Sequence, residues 1–294
     1  MSEPAHVAAL KDLLRADPDG RRLHSVPGCW DGLTALLIER ADFPIAFLSG
    51  GALSMGRYGR PDMGLVTASE VTEAVAVIRD RVAIPLIVDG DTGFGNALTL
   101  QRSLRAFERA GASAVQIEDQ GFPKRCGHMA GKTVVPVAEA VGRIRAALDA
   151  RHDMLVIART DAVSVEGFDA AIDRAEAYLE AGADLLFIEG PRTMDELEQI
   201  AAHFAGRVPL VHNLVEGGVT PIGNGAALEA LGFAIALHPL LLMHGLVAQA
   251  PGWLDTLARE RGTVSLSADI VQLSDMNALL GASDLIALGK RYDA

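Results

Sequence analysis

The sequence predicts an α/β protein built as a closed (β/α)8 barrel of the TIM type. Short apolar runs alternate with longer segments of helical periodicity, and each run ends at glycine, proline or a polar residue. Strands that are apolar on both faces and connected by helices form parallel sheets. About eight such units fit in roughly 250 residues, which favours a closed barrel over an open doubly wound sheet.

The predicted strands are seven clear runs and one weaker run near the start of the chain. They span 24–28, 45–49, 85–89, 114–118, 155–159, 185–189, 209–211 and 233–237. The amphipathic segments between them predict helices over 68–79, 98–110, 136–150, 168–181 and 194–204. The phrases AGASAVQIED and AGADLLFIEG use the same helix end, glycine turn and strand twice, which supports the barrel.

The end of the chain is expected to be helical. We predict one domain over 1–294, in which 239–294 form a C-terminal extension with a long helix followed by a tail. The apolar residues of this extension need a covering surface, and another subunit is one candidate for it.

Composition and charge narrow the class of protein. The chain has 26 Lys and Arg against 38 Asp and Glu, a net charge of −12, and no basic cluster, so nucleic acid and anionic membranes are not expected as partners. The first residues lack the apolar core of a signal peptide, and no apolar run is long enough to span a membrane. We therefore expect a cytoplasmic protein whose two cysteines, Cys29 and Cys126, are reduced thiols.

Polar side chains follow several predicted strands at the point where each strand ends. They are Asp89, Asp91, Glu118, Arg159, Glu189 and Asn213. The carboxyl ends of barrel strands meet at one mouth, where such folds place their chemistry. One residue of this kind is an ordinary strand end, but four acids and an arginine at matching positions predict a shared site.

The carboxylates suggest a magnesium site. The hard oxygen ligands Asp62, Asp89, Asp91 and Glu118 suit Mg²⁺ or Mn²⁺ and suit zinc poorly. Because Mg²⁺ takes only one or two direct carboxylates and keeps several waters, most of these acids would act through water. The stretch DGDTGFGN is not an EF-hand, since Leu100 stands where a bidentate Glu is required.

Two further features could bind a carboxylate. Ser49, Gly50 and Gly51 follow a strand and could offer a hydroxyl and close backbone N–H groups, although an ordinary turn explains them equally well. Arg159 could hold a carboxylate bidentately, or it could form a salt bridge to a barrel acid.

The segment EDQGFPKRCGHMAGK, residues 118–132, places a thiol among cations. Lys124, Arg125 and His128 would lower the pKa of Cys126, and the glycines around it indicate a mobile loop that could close over an anion. A nucleophile would need a partner base and an oxyanion hole, whereas a proton donor needs only a suitable pKa and reach. A zinc site on Cys126 and His128 would need further soft ligands, and none has a recognised spacing.

The motifs resemble those of the isocitrate lyase and phosphoenolpyruvate mutase superfamily. The phrase KRCGHMAGK at 124–132 is similar to the K-[KR]-C-G-H signature of that superfamily. The resemblance continues in chain order through FLSGGA, GRPDMG, DGDTGFGN, VQIEDQ, IARTDA, FIEG, HNLVEGG and LHPL. The short chain without a large insertion looks most like 2-methylisocitrate lyase, 2,3-dimethylmalate lyase and oxaloacetate hydrolase.

This resemblance implies a mechanism and an assembly. Asp89 would bind Mg²⁺ directly, with Asp62, Asp91 and Glu118 acting through water. The group that would hold the carboxylate of the substrate is Ser49, Gly50, Gly51 and Arg159, with Glu189 and Asn213 lining the pocket. The gating loop would contain Lys124, Cys126, Gly127 and His128. Neighbouring subunits would exchange a C-terminal helix within a homotetramer, a dimer of helix-exchanged dimers.

The implied reaction is cleavage of a carbon–carbon bond in a small 2-hydroxy di- or tricarboxylate, and Cys126 would protonate the departing carbanion. Alternatives on the same site are an oxaloacetate hydrolase or decarboxylase and a carboxyvinyl-carboxyphosphonate phosphorylmutase. Two positions depart from the methylisocitrate lyase pattern, since Phe47 and His238 stand where a tyrosine is usual. Both differences suggest a different substrate, and Phe47 weakens the methylisocitrate assignment most.

Overall fold

Eight parallel strands form a closed barrel in chain order. The computed structural model describes residues 3–15, 22–127, 131–218 and 221–293. The strands are β1 (His24–Cys29), β2 (Ala46–Leu48), β3 (Leu86–Asp89), β4 (Ala114–Glu118), β5 (Leu155–Thr160), β6 (Leu185–Ile188), β7 (Leu210–Asn213) and β8 (Ile235–His238). Since β8 pairs with β1, the sheet has no edge, and the predicted fold class is confirmed.

Helices precede the first strand, alternate with the strands and follow the last strand along the chain. They are α1 (Ala5–Leu13), α2 (Gly32–Arg40), α3 (Gly50–Tyr58), α4 (Ala68–Arg81), α5 (Ala97–Ala110), α6 (Val137–Ala150), α7 (Phe168–Glu180), α8 (Met194–Phe204), α9 (Gly225–Ala230), α10 (Leu241–Glu260), α11 (Leu273–Leu280) and α12 (Ala282–Gly289). Local sequence fixes several of their starts; in α4, for example, Thr67 and Glu70 form a reciprocal capping box. The five helices predicted from periodicity are all present, whereas α1, α2, α3 and α9 were not anticipated.

Helix α1 covers the amino end of the barrel. Its residue Leu10 and the following Leu14 belong to the same buried apolar cluster as Val26 of β1 and Ile235 of β8. The ring of His24, the first residue of β1, is hydrogen-bonded to the carbonyl of Leu13 at 3.0 Å. The interior of the barrel is therefore closed to solvent on this side by a helix that precedes the first strand.

The chain divides into two compact units, Met1–Met243 and His244–Ala294. The first contains the barrel. The second contains most of α10 together with α11 and α12, so two short helices form the segment that was expected to be a tail. Several large apolar side chains of this unit are exposed, including Val247, Leu273 and Leu285. Helix exchange and tetrameric assembly stay predictions. Within the described residues, none of the helices combines the length and hydropathy that crossing a bilayer requires.

Candidate active site

One cavity lies at the carboxyl end of the barrel and brings together residues from six strands or the loops that follow them. Its lining includes eight of the predicted site residues: Ser49, Gly51, Asp62, Asp89, Cys126, Gly127, Arg159 and Asn213. Five other predicted site residues do not line the cavity, and all of them are buried: Gly50, Asp91, Glu118, Lys124 and Glu189. His128 lies outside the described residues.

Asp89 presents its carboxylate at the floor of this cavity. It is the last residue of β3, and the N–H groups of Gly50 and Asp91 donate to its Oδ2 and Oδ1, each at 3.2 Å. The second bond requires a tight turn after the strand, in which Asp91 has a φ of 46°. Two backbone donors thus fix the orientation of a carboxylate that remains 8% exposed to the cavity.

Lys124 neutralises part of the charge of the acidic cluster, which consists of Asp62, Asp89, Asp91 and Glu118. Its Nζ lies 2.5 Å from Oδ1 of Asp62 and 2.6 Å from Oδ1 of Asp91. Burial lowers the pKa of Lys124, but the charges of Asp91, Asp89 and Asp62 outweigh burial and hold the pKa well above its ordinary value. From the sequence, this ammonium was expected to lower the pKa of the Cys126 thiol. In the structure it forms ion pairs with Asp62 and Asp91.

The cluster still holds more negative charge than its own cations balance. Burial, partly offset by Lys124, raises the pKa of Asp91 to about 7. Burial also raises the pKa of Glu118 well above its ordinary value, and its Oε1 has no hydrogen-bond partner within the described part of the chain. An additional cation at this point would lower both pKa values and occupy an acceptor that is otherwise unsatisfied.

The donor set fits a hydrated Mg²⁺ ion better than a fully protein-enclosed metal. Across residues 3–15, 22–127, 131–218 and 221–293, no group of three or more His, Cys, Asp or Glu side chains is arranged to hold a metal ion. Mg²⁺ needs only one or two protein carboxylates because it retains water ligands. Asp89, bordering the cavity, is suited to direct contact, and the buried acids behind it are suited to contact through water.

Helix α3 begins at the cavity, and two residues at its start, Ser49 and Gly51, line the cavity. Ser49 is its N-cap, and the Ser49 Oγ accepts the Ala52 N–H at 3.1 Å. A side-chain carbon at Gly50 would lie 3.0 Å from Oδ2 of Asp89, so a glycine allows the helix to approach the carboxylate. The start of a helix favours anions, which supports carboxylate binding; an ordinary turn, the alternative reading, is not what the structure contains.

Arg159 is held by several buried carboxylates and also borders the cavity. Its Nε donates to Oδ2 of Asp161 at 2.9 Å, and its guanidinium lies 3.4 Å from both Glu118 and Glu189. The side chain of Asn213 donates to Oε2 of Glu189 at 2.6 Å. The two alternatives for Arg159 are therefore compatible, because the salt bridges fix the direction in which it faces a ligand.

Cys126 and Gly127 form the side of the cavity contributed by the loop after β4. The Cys126 N–H donates to the carbonyl of Asp62 at 3.2 Å, and neither cysteine forms a disulfide. The side chain of Gln120 fixes the backbone of Arg125, the residue before Cys126. Its Nε2 donates to the Arg125 carbonyl at 2.8 Å, and its Oε1 accepts the Arg125 N–H at 3.0 Å. The thiol is thus placed at the cavity by backbone contacts.

Sequence reasoning missed several members of the site. Gln116 lines the cavity, and its Oε1 is buried without a hydrogen-bond partner in the described structure. Its position two residues before Glu118 on β4 was a usable signal, because alternate residues of a barrel strand point to the same side. The rest of the unpredicted lining is apolar: Met55, Val215, Leu237, Pro239 and Leu240, in addition to Phe47, which the sequence marked only as a departure.

Fold and site together define a barrel enzyme whose mouth combines an acidic cluster, a helix start, an arginine and a thiol. The family model described as phosphoenolpyruvate phosphomutase matches residues 16–249. This chain belongs to that family, whose related enzymes include lyases and mutases.

Three similar proteins show the range of chemistry among its relatives. The chain is 36% identical to 2,3-dimethylmalate lyase of Eubacterium barkeri over 97% of each chain. It is 42% identical to 2-methylisocitrate lyase of Aeropyrum pernix, over 78% of this chain and 73% of that protein. A solved phosphonopyruvate hydrolase in complex with oxalate and Mg²⁺ superposes with a TM-score of 0.86 at 32% identity and covers 98% of this chain and 99% of its own. The relatives support carbon–carbon lyase chemistry of this superfamily.

Proposed function

We propose that this protein is a Mg²⁺-dependent lyase that cleaves a carbon–carbon bond of a small 2-hydroxy dicarboxylate or tricarboxylate carrying an alkyl substituent. The observation that carries the proposal is the mixed polar and apolar lining of the cavity. Asp89, Arg159 and the start of α3 lie among its polar lining, and Phe47, Met55 and Leu237 are among six apolar lining residues. Carboxylates suit the polar residues, and an alkyl group suits the apolar residues.

The metal-binding residues would be Asp89 directly, with Asp62, Asp91 and Glu118 through water. When bound, Mg²⁺ (or Mn²⁺) supplies Lewis-acid stabilisation of the negative charge that develops on the substrate oxygen. The Lys124 ammonium, 2.6 Å from Asp91, holds the supporting carboxylates in place. A solved relative whose complex contains oxalate and Mg²⁺ supports this assignment.

The residues of this chain would then orient the substrate and supply one proton. Arg159, the Ser49 hydroxyl and the Gly51 N–H bind carboxylates, which holds the bond to be cleaved in a fixed orientation. The hydroxyl proton passes to water, the bond from the hydroxyl carbon to its neighbour breaks, the hydroxyl carbon becomes the carbonyl carbon of a 2-oxo acid, and the electron pair of the broken bond stays as a carbanion on the departing carboxylate fragment. The Cys126 thiol at the cavity donates a proton to that carbanion, and the thiolate then regains a proton from water. In the reverse direction the thiolate removes the proton.

A substrate panel tests the proposal. The protein would be incubated with Mg²⁺ and, separately, 2,3-dimethylmalate, 2-methylisocitrate, isocitrate or oxaloacetate, with pyruvate, glyoxylate and oxalate measured. We expect pyruvate from an alkyl-substituted acid at a rate well above glyoxylate formation from isocitrate, because the apolar wall gains contact only with the alkyl group. Oxalate from oxaloacetate alone would identify a hydrolase instead, and no turnover of any compound would exclude both functions.

Cys126→Ser separates the proton donor from the rest of the site. We expect cleavage to fall by about 100-fold or more, the usual contribution of a positioned general acid. Mg²⁺ binding should be unchanged, since the hydrogen bond from Cys126 to Asp62 is donated by the backbone N–H, which the substitution keeps. Cys29→Ala is the matched control because that thiol is buried against the Phe47 carbonyl. An unchanged rate in Cys126→Ser, or an equal loss in both variants, would contradict the role of Cys126.

A further inference from the structure

Asp161 lies behind the cavity and connects two cations that come from different parts of the chain. It directly follows β5 and is completely buried, at 0% exposure. Its Oδ2 accepts a hydrogen bond from Nε of Arg159 at 2.9 Å, and its Oδ1 accepts bonds from Nη2 of Arg159 at 3.1 Å and from Nζ of Lys132 at 2.8 Å. Its backbone N–H donates to Oδ1 of Asp119 at 2.9 Å, so the carboxylate itself has little freedom to move.

Lys132 extends this connection to the segment that contains the thiol. Its Nζ also donates to the carbonyl of Gly127 at 2.6 Å, and the ammonium is buried with Asp161. A side-chain carbon at Gly127 would lie 2.5 Å from Nη2 of Arg159, so the loop backbone directly adjoins the guanidinium. One carboxylate therefore determines where Arg159 lies and, through Lys132, where Gly127 and the adjacent Cys126 lie.

We propose that Asp161 and Lys132 are positioning residues that fix the Cys126–Gly127 backbone against the Arg159 guanidinium. Neither residue lines the cavity, so both act through the groups that do. The inference rests on the proposed function, because the two groups it aligns are the carboxylate anchor and the proton donor of that reaction. Misplacement of about 1 Å in such an arrangement costs roughly 100-fold in rate.

The electrostatics support a permanently charged connection. Burial by itself raises the pKa of Asp161, but Arg159 and Lys132 outweigh burial and hold the pKa at about 2. Removing the negative charge would leave two buried cations without their shared partner. Arg159 would then turn toward Glu118 or Glu189, which already lie 3.4 Å from it, and Lys132 would lose one of its two acceptors.

The test uses Asp161→Asn and Lys132→Met, with Asp184→Asn as the matched control. Asp184 also pairs with an arginine, Arg151, and accepts a backbone N–H, that of Val156 at 2.8 Å, but it lies at the amino end of the barrel. Each variant is measured for kcat, KM, the thermal midpoint, Mg²⁺ affinity by calorimetry, and the rate at which iodoacetamide alkylates Cys126, followed by peptide mass spectrometry.

We expect both variants to lower kcat by about 10- to 100-fold, with Mg²⁺ affinity within about twofold of the wild type. Alkylation of Cys126 should become at least about fivefold faster, because its backbone loses a fixed support. Lys132→Arg should recover part of the lost kcat, since it retains a cation that reaches both acceptors. Asp184→Asn should lower only the thermal midpoint.

A purely structural role for Asp161 and Lys132 predicts the pattern of the control, a lower thermal midpoint with kcat and alkylation unchanged, and that result would overturn the inference. If Asp161→Asn does not fold, Lys132→Met decides the question. The alkylation rate needs no substrate, so it tests the positioning even if the wild type cleaves none of the proposed compounds. In that case, unchanged alkylation in the variants rejects the positioning, and faster alkylation rejects only the proposed substrate.

Discussion

The two ends of the barrel differ in how their buried polar groups are satisfied. At the amino end, the hydroxyl of Ser113 accepts the Leu86 N–H at 3.0 Å and lies 2.8 Å from Nδ1 of His6. The ring of His24 is hydrogen-bonded to the carbonyl of Leu13. Each of these polar groups stabilises the contact between the segment of α1 and the barrel.

At the carboxyl end, polar atoms are buried and left without such partners. Within the described chain this holds for Oε1 of Gln116, Oε1 of Glu118 and Oδ1 of Asn213. The amino end also has a buried atom of this kind, Nη2 of Arg79, but the other nitrogens of that guanidinium donate to three backbone carbonyls. Carboxylates of like charge also lie side by side, and burial raises the pKa of two of them. Stability alone would select against both features, so the difference between the ends indicates that one is built for folding and the other for binding.

The largest expected effect comes from Asp89→Asn at the carboxyl end. The amide keeps the shape but loses the charge that would bind Mg²⁺, so cleavage should fall by about 1,000-fold or more, the equivalent of several kcal/mol in the barrier. The thermal midpoint without Mg²⁺ should change little, because the removal of a like charge from beside Asp91 is offset by the loss of one of the two backbone N–H bonds that Asp89 accepts. Steady-state rates and melting curves with and without Mg²⁺ measure both.

In the wild type, Mg²⁺ should raise the thermal midpoint by binding the native state only, and this increase should vanish in Asp89→Asn. Activity within about tenfold of the wild type would show that Asp89 is not the metal-binding carboxylate, because such a loss is far below the one expected from removing the metal. A large drop in midpoint without metal would show that this end also contributes to folding.

Leu10→Ala should give the opposite result at the amino end. Leu10 is fully buried in the core cluster, at 0% exposure, so its truncation should lower the free energy of unfolding by about 2 to 5 kcal/mol. For a chain of this size, each kcal/mol lowers the thermal midpoint by about 2 to 4 °C. At 25 °C, kcat and KM of the folded protein should stay within about twofold of the wild type, and a larger change would mean that the two ends are coupled.

The barrel itself was predictable because its signal is local. Strands buried on both faces must be apolar along their whole length, and β4 was predicted with its observed limits for that reason. Helix α1 carries a comparable signal, since Val7, Leu10 and Leu14 are spaced three and four residues apart and are buried. It was not predicted because a helix of nine residues presents this spacing over fewer than three turns.

The candidate site was predictable where chain position decides the geometry and unpredictable where long-range pairing does. Asp89 and Glu118 end strands, and barrel topology alone places them at one mouth. The pairing of Lys132 with Asp161, and of Lys124 with Asp62, depends on how a loop folds back over the barrel. Spacing along the sequence contains no information on that path, so Lys124 was assigned to the gating loop without its carboxylate partners, and Lys132 was assigned no role.

The smallest expected effect is a pH dependence of stability that comes from His6 at the amino end. Burial, and secondarily the charge of Arg79, lowers the pKa of His6 from 6.5 to about 4. The unfolded chain therefore binds a proton between about pH 6.5 and 4 that the folded chain does not, so stability from this group is complete above pH 6.5 and is lost as the pH falls.

His6→Gln can keep a hydrogen bond to Ser113 but cannot titrate. We expect the free energy of unfolding of the wild type minus that of His6→Gln to decrease from pH 7.5 to pH 4.5, by an amount on the order of 1 kcal/mol because the ring is half-exposed. Titration of the acidic cluster affects both proteins equally and cancels in this difference, so a difference that does not vary with pH would show that the contact between His6 and Ser113 does not exclude the charged ring.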